Sequence, residues 1–203
     1  GFDYLYDKVG MYDCIRGVMC DERPASSITR EWQQVDDIRD HMLYFLENHD
    51  EQRIVSDFFA GNPWKGVPGM IVSALLQQNP VMVYAGQEFG ERGMDKEGFS
   101  GQDGRSTIFD YWTSDAIFKG FFNRDSLTTD EKKLSLVYQG ILRFCNREKA
   151  VREGQTFDLM YANNQSYQFN PRKQFAFLRK TDNEVLLVVA NFDQKRVYIN
   201  VTV

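Results

Sequence analysis

Apolar residues in the first half of the chain gather into short uninterrupted runs separated by stretches with helical spacing. Phe2-Asp3-Tyr4-Leu5-Tyr6-Asp7 interleaves aromatic or aliphatic with acidic residues and reads as a strand, followed by a helix from about Lys8 to Met19. Ser26-Ser27 offers an N-cap for a second helix running towards Ile38, with Glu31 as a first-turn acid. Met42-Leu43-Tyr44-Phe45-Leu46 contains no charged position, the mark of a strand covered on both faces. Asn62-Pro63 and Gly66-Val67-Pro68 interrupt the chain before an apolar helix over Gly69 to Gln78; Asn79-Pro80 ends it, and Val81-Met82-Val83-Tyr84 is a further apolar strand. Strand and helix therefore alternate, which predicts a parallel α/β sheet with right-handed crossovers.

From Ala85 to Leu127 the pattern dissolves into a region rich in Gly, Asp and aromatic residues, a length at which loops are functional or carry short helices of their own. Thr128-Thr129-Asp130-Glu131 has the form of a capped helix start, and Leu134, Val137, Ile141, Leu142 and Cys145 line one face of a helix running to about Glu148. Beyond Gly154 the spacing changes to short alternating strands: Thr156 to Tyr161, Ser166 to Phe169, Phe175 to Arg179, Val185 to Ala190 and Val197 to Val203. This predicts two parts, residues 1–153 as a parallel α/β unit and residues 154–203 as a small antiparallel β domain. The chain stops on a strand with about five in hand, which leaves room for truncation there.

At 203 residues and 42% hydrophobic, the chain can bury one substantial core and an accessory domain. The formal charge of −5 provides no basic stripe, so nucleic acid is excluded as an expected partner, and a neutral sugar polymer is compatible. Apolar stretches such as Val67 to Leu76 are too short to span a bilayer. Cys14, Cys20 and Cys145 lack metal-ligand spacing and are expected to be idle thiols.

The most informative words are Phe45-Leu46-Glu47-Asn48-His49-Asp50-Glu51-Gln52-Arg53, where a histidine and a carboxylate follow an apolar strand directly. A barrel strand delivers catalytic groups at its C-terminal end in this way. Read as residue types alone, Asn48, His49 and Asp50 equally suit a polar turn that caps the next helix. The segment resembles the seventh-strand region of the alpha-amylase family (glycoside hydrolase family 13), retaining (β/α)8-barrel enzymes of α-glucans. Phe2 to Asp7 resembles the sixth-strand region, Tyr84-Ala85-Gly86-Gln87-Glu88 the turn after the eighth, and the tail the β-sandwich that follows the barrel.

The resemblance implies a fold of class α/β plus all-β, the C-terminal part (strands 6–8) of a TIM (β/α)8 barrel followed by an antiparallel β-sandwich. It implies hydrolysis or transglycosylation of starch-like α-glucans or maltooligosaccharides by the parent enzyme. Retaining chemistry needs two carboxyl groups roughly 5 to 5.5 Å apart; in this family they lie at the ends of strands four and five, and neither strand is recognised here. The chain by itself is therefore expected to be inactive. A non-catalytic carbohydrate-binding or structural protein on the same scaffold is the alternative, as is a sugar-binding β tail presenting Tyr161, Tyr167, Phe169 and Tyr198.

By the same resemblance Asp50 is the carboxylate that stabilises the distorted, oxocarbenium-like sugar, and His49 donates to its hydroxyls. Asn48 stands beside them. Tyr111 and Trp112 offer faces for sugar rings or pack the long loop, and Arg53 and Glu88 are expected behind the site, in ion pairs or caps that hold the strand ends. No cofactor is implied within the chain. Asp95, Glu97 and Asp103 fit no EF-hand loop, and calcium belongs, if anywhere, to the upstream part of the parent. Three strands cut from a barrel leave open edges, so the N-terminal part of the same barrel, or further copies of this chain, are the expected partners.

Overall fold

The computed structural model describes residues 1–94, 103–106, 108, 114–164 and 168–203. It begins with a short strand β1 (Leu5–Tyr6), a wide helical turn Lys8–Tyr12, and helices α1 (Asp13–Met19) and α2 (Ser27–Gln34). Strand β2 (Met42–Phe45), helix α3 (Gly66–Leu75) and strand β3 (Val81–Met82) follow. β1, β2 and β3 form one parallel sheet in that order, with Leu5 opposite Met42 and Phe45 opposite Met82. This is the parallel alternation that the apolar runs predict, and α3 packs against β2.

Boundaries differ from expectation for local reasons. Pro68 lies inside the first turn of α3, where a missing N–H costs nothing, so the helix starts at Gly66 and not after the proline. It ends at Leu75, ahead of Asn79-Pro80. Ser26 has helical backbone angles and makes no side-chain cap; Ser27 Oγ donates instead to the Pro24 carbonyl. α2 stops at Gln34, with Ile28 and Trp32 buried and Val35 half-buried, because Asp36 and Asp37 extend no apolar face. Glu31 thus sits in the second turn, 4.0 Å from Arg23.

The long region after β3 contains helix α4 (Asp115–Phe122). Helix α5 (Thr129–Arg147) starts at the foreseen cap: Thr128 Oγ1 accepts from Glu131 N at 3.2 Å while Glu131 Oε2 accepts from Thr128 N at 2.6 Å. Its inner seam is Leu134 and Tyr138, with Ile141, Leu142 and Cys145 half-buried. A short helix α6 (Lys149–Glu153) leads into the antiparallel sheet of β4 (Gln155–Asp158), β5 (Gln174–Lys180) and β6 (Val185–Asn191).

One apolar core runs through both sheets' partners, from Ile15, Ile28 and Met70 to Phe175, Phe177 and Val188. The expected strand over Val197 to Val203 lies outside the ladder. There Asn163, fully buried, supplies a strand neighbour's hydrogen bonds from its side chain, Nδ2 donating to Thr202 O at 2.8 Å and Oδ1 accepting from Thr202 N at 2.8 Å. Of the tail aromatics, Phe169 is buried in this core while Tyr161 and Tyr198 are exposed; Tyr167 lies outside the described residues. The three cysteines are free. No described helix is long and apolar enough to cross a membrane.

Candidate active site at the end of strand β2

Strand β2 leaves the sheet at Leu46 and turns on two buried polar residues. Glu47 is 1% exposed and Asn48 6%. Asn48 Oδ1 accepts from Asp50 N at 2.8 Å and from Glu51 N at 2.9 Å, closing a tight turn with its own side chain. The residues carried on that turn, His49 and Asp50, point outward. Their side chains are 49% and 74% exposed, and His49 Nε2 lies 3.3 Å from Asp50 Oδ2. The polar turn and the exposed pair thus coexist, divided between adjacent residues: Asn48 builds the turn, and His49 and Asp50 stand in solvent.

The loop is held from the β1 side by Glu51. Its carboxylate accepts from Tyr12 OH at 3.1 Å and lies 3.3 Å from Lys8 Nζ. Burial pushes the Tyr12 phenol well above its usual range, so it stays protonated and donates. Arg16 donates to the Tyr12 oxygen at 3.1 Å, and the Tyr12 ring stacks on Phe45 at 4.9 Å.

On the β3 side, Arg53 is fully buried and pairs with Glu47, Nη1 to Oε2 at 2.8 Å. Glu47 Oε1 also accepts from Ile54 N at 2.7 Å. Burial pushes the Glu47 carboxyl up while Arg53 opposes the shift. Glu88 serves another group: its Oε2 accepts from Gly86 N at 3.1 Å, and burial pushes its carboxyl up. Gln87, also buried, donates to Tyr138 OH at 3.1 Å.

Two structural carboxylates, Glu47 and Glu91, were not singled out from sequence. Glu91 is fully buried and accepts from the main-chain N–H groups of Arg92, Gly93 and Ile117, joining the turn after β3 to α4. An acidic residue immediately after an uncharged apolar run was the available signal for Glu47.

A cleft of about 520 Å³ opens beside β3 and α5, lined by Val83, Glu88, Phe89, Phe121, Tyr138 and Leu142 among others. Clefts of about 430 and 310 Å³ open beside β4. None of these three is lined by His49 or Asp50. The opposite edge of the parallel sheet is also open, with Phe2, Tyr4, Leu5, Tyr6 and Val9 exposed. Tyr111 and Trp112 lie outside the described residues. Among the described residues, no group of three His, Cys, Asp or Glu side chains converges to hold a metal ion.

No protein-family model matches the sequence, and no curated protein does. Solved structures do match in fold. AmyP in complex with maltose is similar at a TM-score of 0.69 and 12% identity over 94% of this chain. A noncanonic maltogenic alpha-amylase, AmyB from Thermotoga neapolitana, matches at 0.61 and 15% over 94%. A Nostoc punctiforme debranching enzyme, acarbose soaked, matches at 0.62 and 15% over 94%. The chain spans only 40%, 38% and 37% of these proteins respectively. At such identities the likeness shows a shared fold: a parallel sheet with its helices and an antiparallel sheet, in an arrangement found within alpha-amylase-type enzymes.

Proposed function

We propose that this chain is the C-terminal portion of an alpha-amylase-type glycoside hydrolase, or a related transglycosylase, acting on α-glucans or maltooligosaccharides. On this reading β1, β2 and β3 are strands six, seven and eight of the catalytic barrel, residues 1–153 are its C-terminal part and residues 154–203 belong to the β domain behind it. The observation that carries it is the exposed His49 and Asp50, side by side on a turn built by buried Asn48 at the C-terminal end of a parallel strand. The fold match over about two fifths of known amylase-type enzymes supports it.

Asp50 accepts hydrogen bonds from hydroxyls of the sugar at the cleavage point and favours its flattened, positively charged form; His49 donates to the same sugar. Such contacts strengthen in the transition state and contribute several kcal/mol. The bond-breaking carboxylates come from strands four and five, outside the three parallel strands here. The chain alone is accordingly inactive, and its open sheet edges, β1 with its exposed aromatics and β3 with its cleft, receive the upstream strands or a second copy of the chain.

The test has two arms. The purified 203-residue chain should release no reducing sugar from maltooligosaccharides. Produced in continuity with its parental upstream sequence it should turn over, and Asp50→Asn should then lower kcat by about 100- to 1000-fold, as a loss of several kcal/mol requires. Activity of the isolated chain, or full activity of Asp50→Asn, would overturn the proposal. Absence of the upstream Asp and Glu would favour a binding protein on the same scaffold.

A further inference from the structure

We infer that Arg53 is the positioning residue of this site: its guanidinium holds three loops in one register and thereby sets where His49 and Asp50 stand. The inference rests on the reading of that pair as the sugar-contacting groups.

The loop that carries them is closed at its base by a single ion pair. Glu47 stands at its start and Arg53 at its end, 2.8 Å apart with side chains 2% and 1% exposed, and Glu47 also takes the Ile54 N–H. Two further donors of Arg53 are directed to a different segment. Nε donates to Ser106 Oγ at 2.7 Å and the main-chain N–H to Gly104 O at 2.6 Å, which ties in the segment 103–106. The flat face lies 4.3 Å from the centre of the Tyr84 ring, beyond the end of β3. Its stem packs so closely on Gly93 that a Cβ there would meet Arg53 Cγ at 2.9 Å and Gly104 O at 2.8 Å; Gly93 has φ +64°, a conformation that glycine alone takes readily.

Stability by itself is a poor reason for such a residue, because a buried ion pair loses in desolvation much of what it gains in attraction. Geometry is a better one. A planar fork with fixed donor directions, stacked on a ring, admits one arrangement of its partners. A site that grips a distorted sugar needs that, since misplacement by about 1 Å can cost about 100-fold in rate. Lysine brings charge without the fork: it can reach Glu47 or Ser106, and it lacks the flat face over Tyr84.

The two histidines provide the measurement. His41 precedes β2 and His49 follows it, so His41 is an internal control at the other end of the same strand. In the 203-residue chain, imidazole nitrogen and proton signals are followed by NMR, without ligand, in Arg53→Lys, Glu47→Gln and Ser106→Ala. The expected result is a shift or doubling of the His49 signals, with His41 unmoved and cooperative melting retained. A His49 signal unchanged in Arg53→Lys and Ser106→Ala would overturn the inference, as would equal movement of His41, which marks a general loss of structure. In the chain joined to its upstream sequence, Arg53→Lys should lower kcat about 10- to 100-fold with little change in KM. Acarbose added to the wild-type chain joined to its upstream sequence separates the two claims: if it leaves His49 unshifted, the sugar-contact reading fails while the positioning result stands on its ligand-free signals.

Discussion

Arg179 Nη1 donates to the main-chain oxygen of Leu76 at 2.8 Å, joining the middle strand of the antiparallel sheet to the C-terminal end of α3. The same guanidinium donates to Val151 O at 2.7 Å, Ala150 O at 3.2 Å and Thr156 Oγ1 at 2.5 Å. Arg179 is 1% exposed, and the structure shows carbonyls, not a carboxylate, around it. Burial pulls its pKa down to about 10, which still leaves it charged at neutral pH. A cation at the carbonyl ends of two helices is where the helix dipole favours one.

Arg179→Met should therefore take the donor from Val151 O and thin the bonding of Leu76 O and Ala150 O, which keep Thr156 Oγ1 and Gly154 N as donors, and destabilise the chain by roughly 1 to 3 kcal/mol, the penalty of a buried polar group left without a partner. Urea unfolding followed by circular dichroism reads it. Arg179→Lys should recover little, because one ammonium cannot reach acceptors on α3, α6 and β4 together. A wild-type midpoint in Arg179→Met would show that these bonds contribute nothing net.

At the candidate site, stability and ligand contact should separate by residue. Asn48→Ala removes the acceptor for two main-chain N–H groups and should cost about 1 to 2 kcal/mol, as loss of a cap does. Asp50→Asn touches only the exposed pair and should stay within about 0.5 kcal/mol of wild type. Thermal melts of the two variants side by side decide it; equal destabilisation would make Asp50 a structural residue.

Asp7 should make the fold sensitive to pH. It is 4% exposed, Oδ1 accepts from Met11 N at 2.9 Å, and Oδ2 has no partner. Burial raises its carboxyl above the ordinary value of 3.8 in spite of the Met11 and Gly10 N–H groups. A carboxyl raised in the folded state favours folding below its unfolded pKa, and that contribution is lost as pH rises through the folded value. Asp7→Asn cannot ionise, so its stability relative to wild type should improve as pH rises above the ordinary carboxyl value of 3.8. A difference that stays constant as pH rises from there in urea titrations would refute the assignment.

Gly86 should not tolerate a side chain. Its φ is +91°, and a Cβ would stand 2.5 Å from Ile117 Cγ1 and 2.9 Å from Glu91 Cβ. Gly86→Ala combines left-handed strain with overpacking and should cost about 2 to 4 kcal/mol. Gly140→Ala is the control: an added Cβ meets nothing within 4 Å, and helix propensity should raise stability by up to about 1 kcal/mol. Denaturation midpoints moving in opposite directions are the expected result.

The elements most legible in the sequence were those with a local cause. Uncharged apolar runs marked β2 and β3, and Thr128 with Glu131 marked the start of α5 to the residue. The words Asn48-His49-Asp50 located a polar strand end. Less legible were elements that depend on partners elsewhere. Val197 to Val203 has the alternation of a strand, yet Asn163 takes the place of a neighbouring strand for part of it. Arg53 was legible as a residue for an ion pair near the strand end. Its partner Glu47 was not, since nothing in the order of residues says which of several nearby carboxylates is buried.

By itself the sequence determined the parallel alternation, the capped helix and the polar turn after β2, because period, cap and turn chemistry act over a few residues. The division of labour inside Glu47-Asn48-His49-Asp50 was decided only by tertiary structure. Once the loop folds over Arg53 and Tyr84, burial leaves Glu47 and Asn48 inside with every hydrogen bond directed to the loop's own frame. His49 and Asp50, one residue further on, remain outside. Side chains of similar chemistry thus receive opposite roles from solvent access alone, which no stretch of sequence this short can encode without the rest of the fold around it.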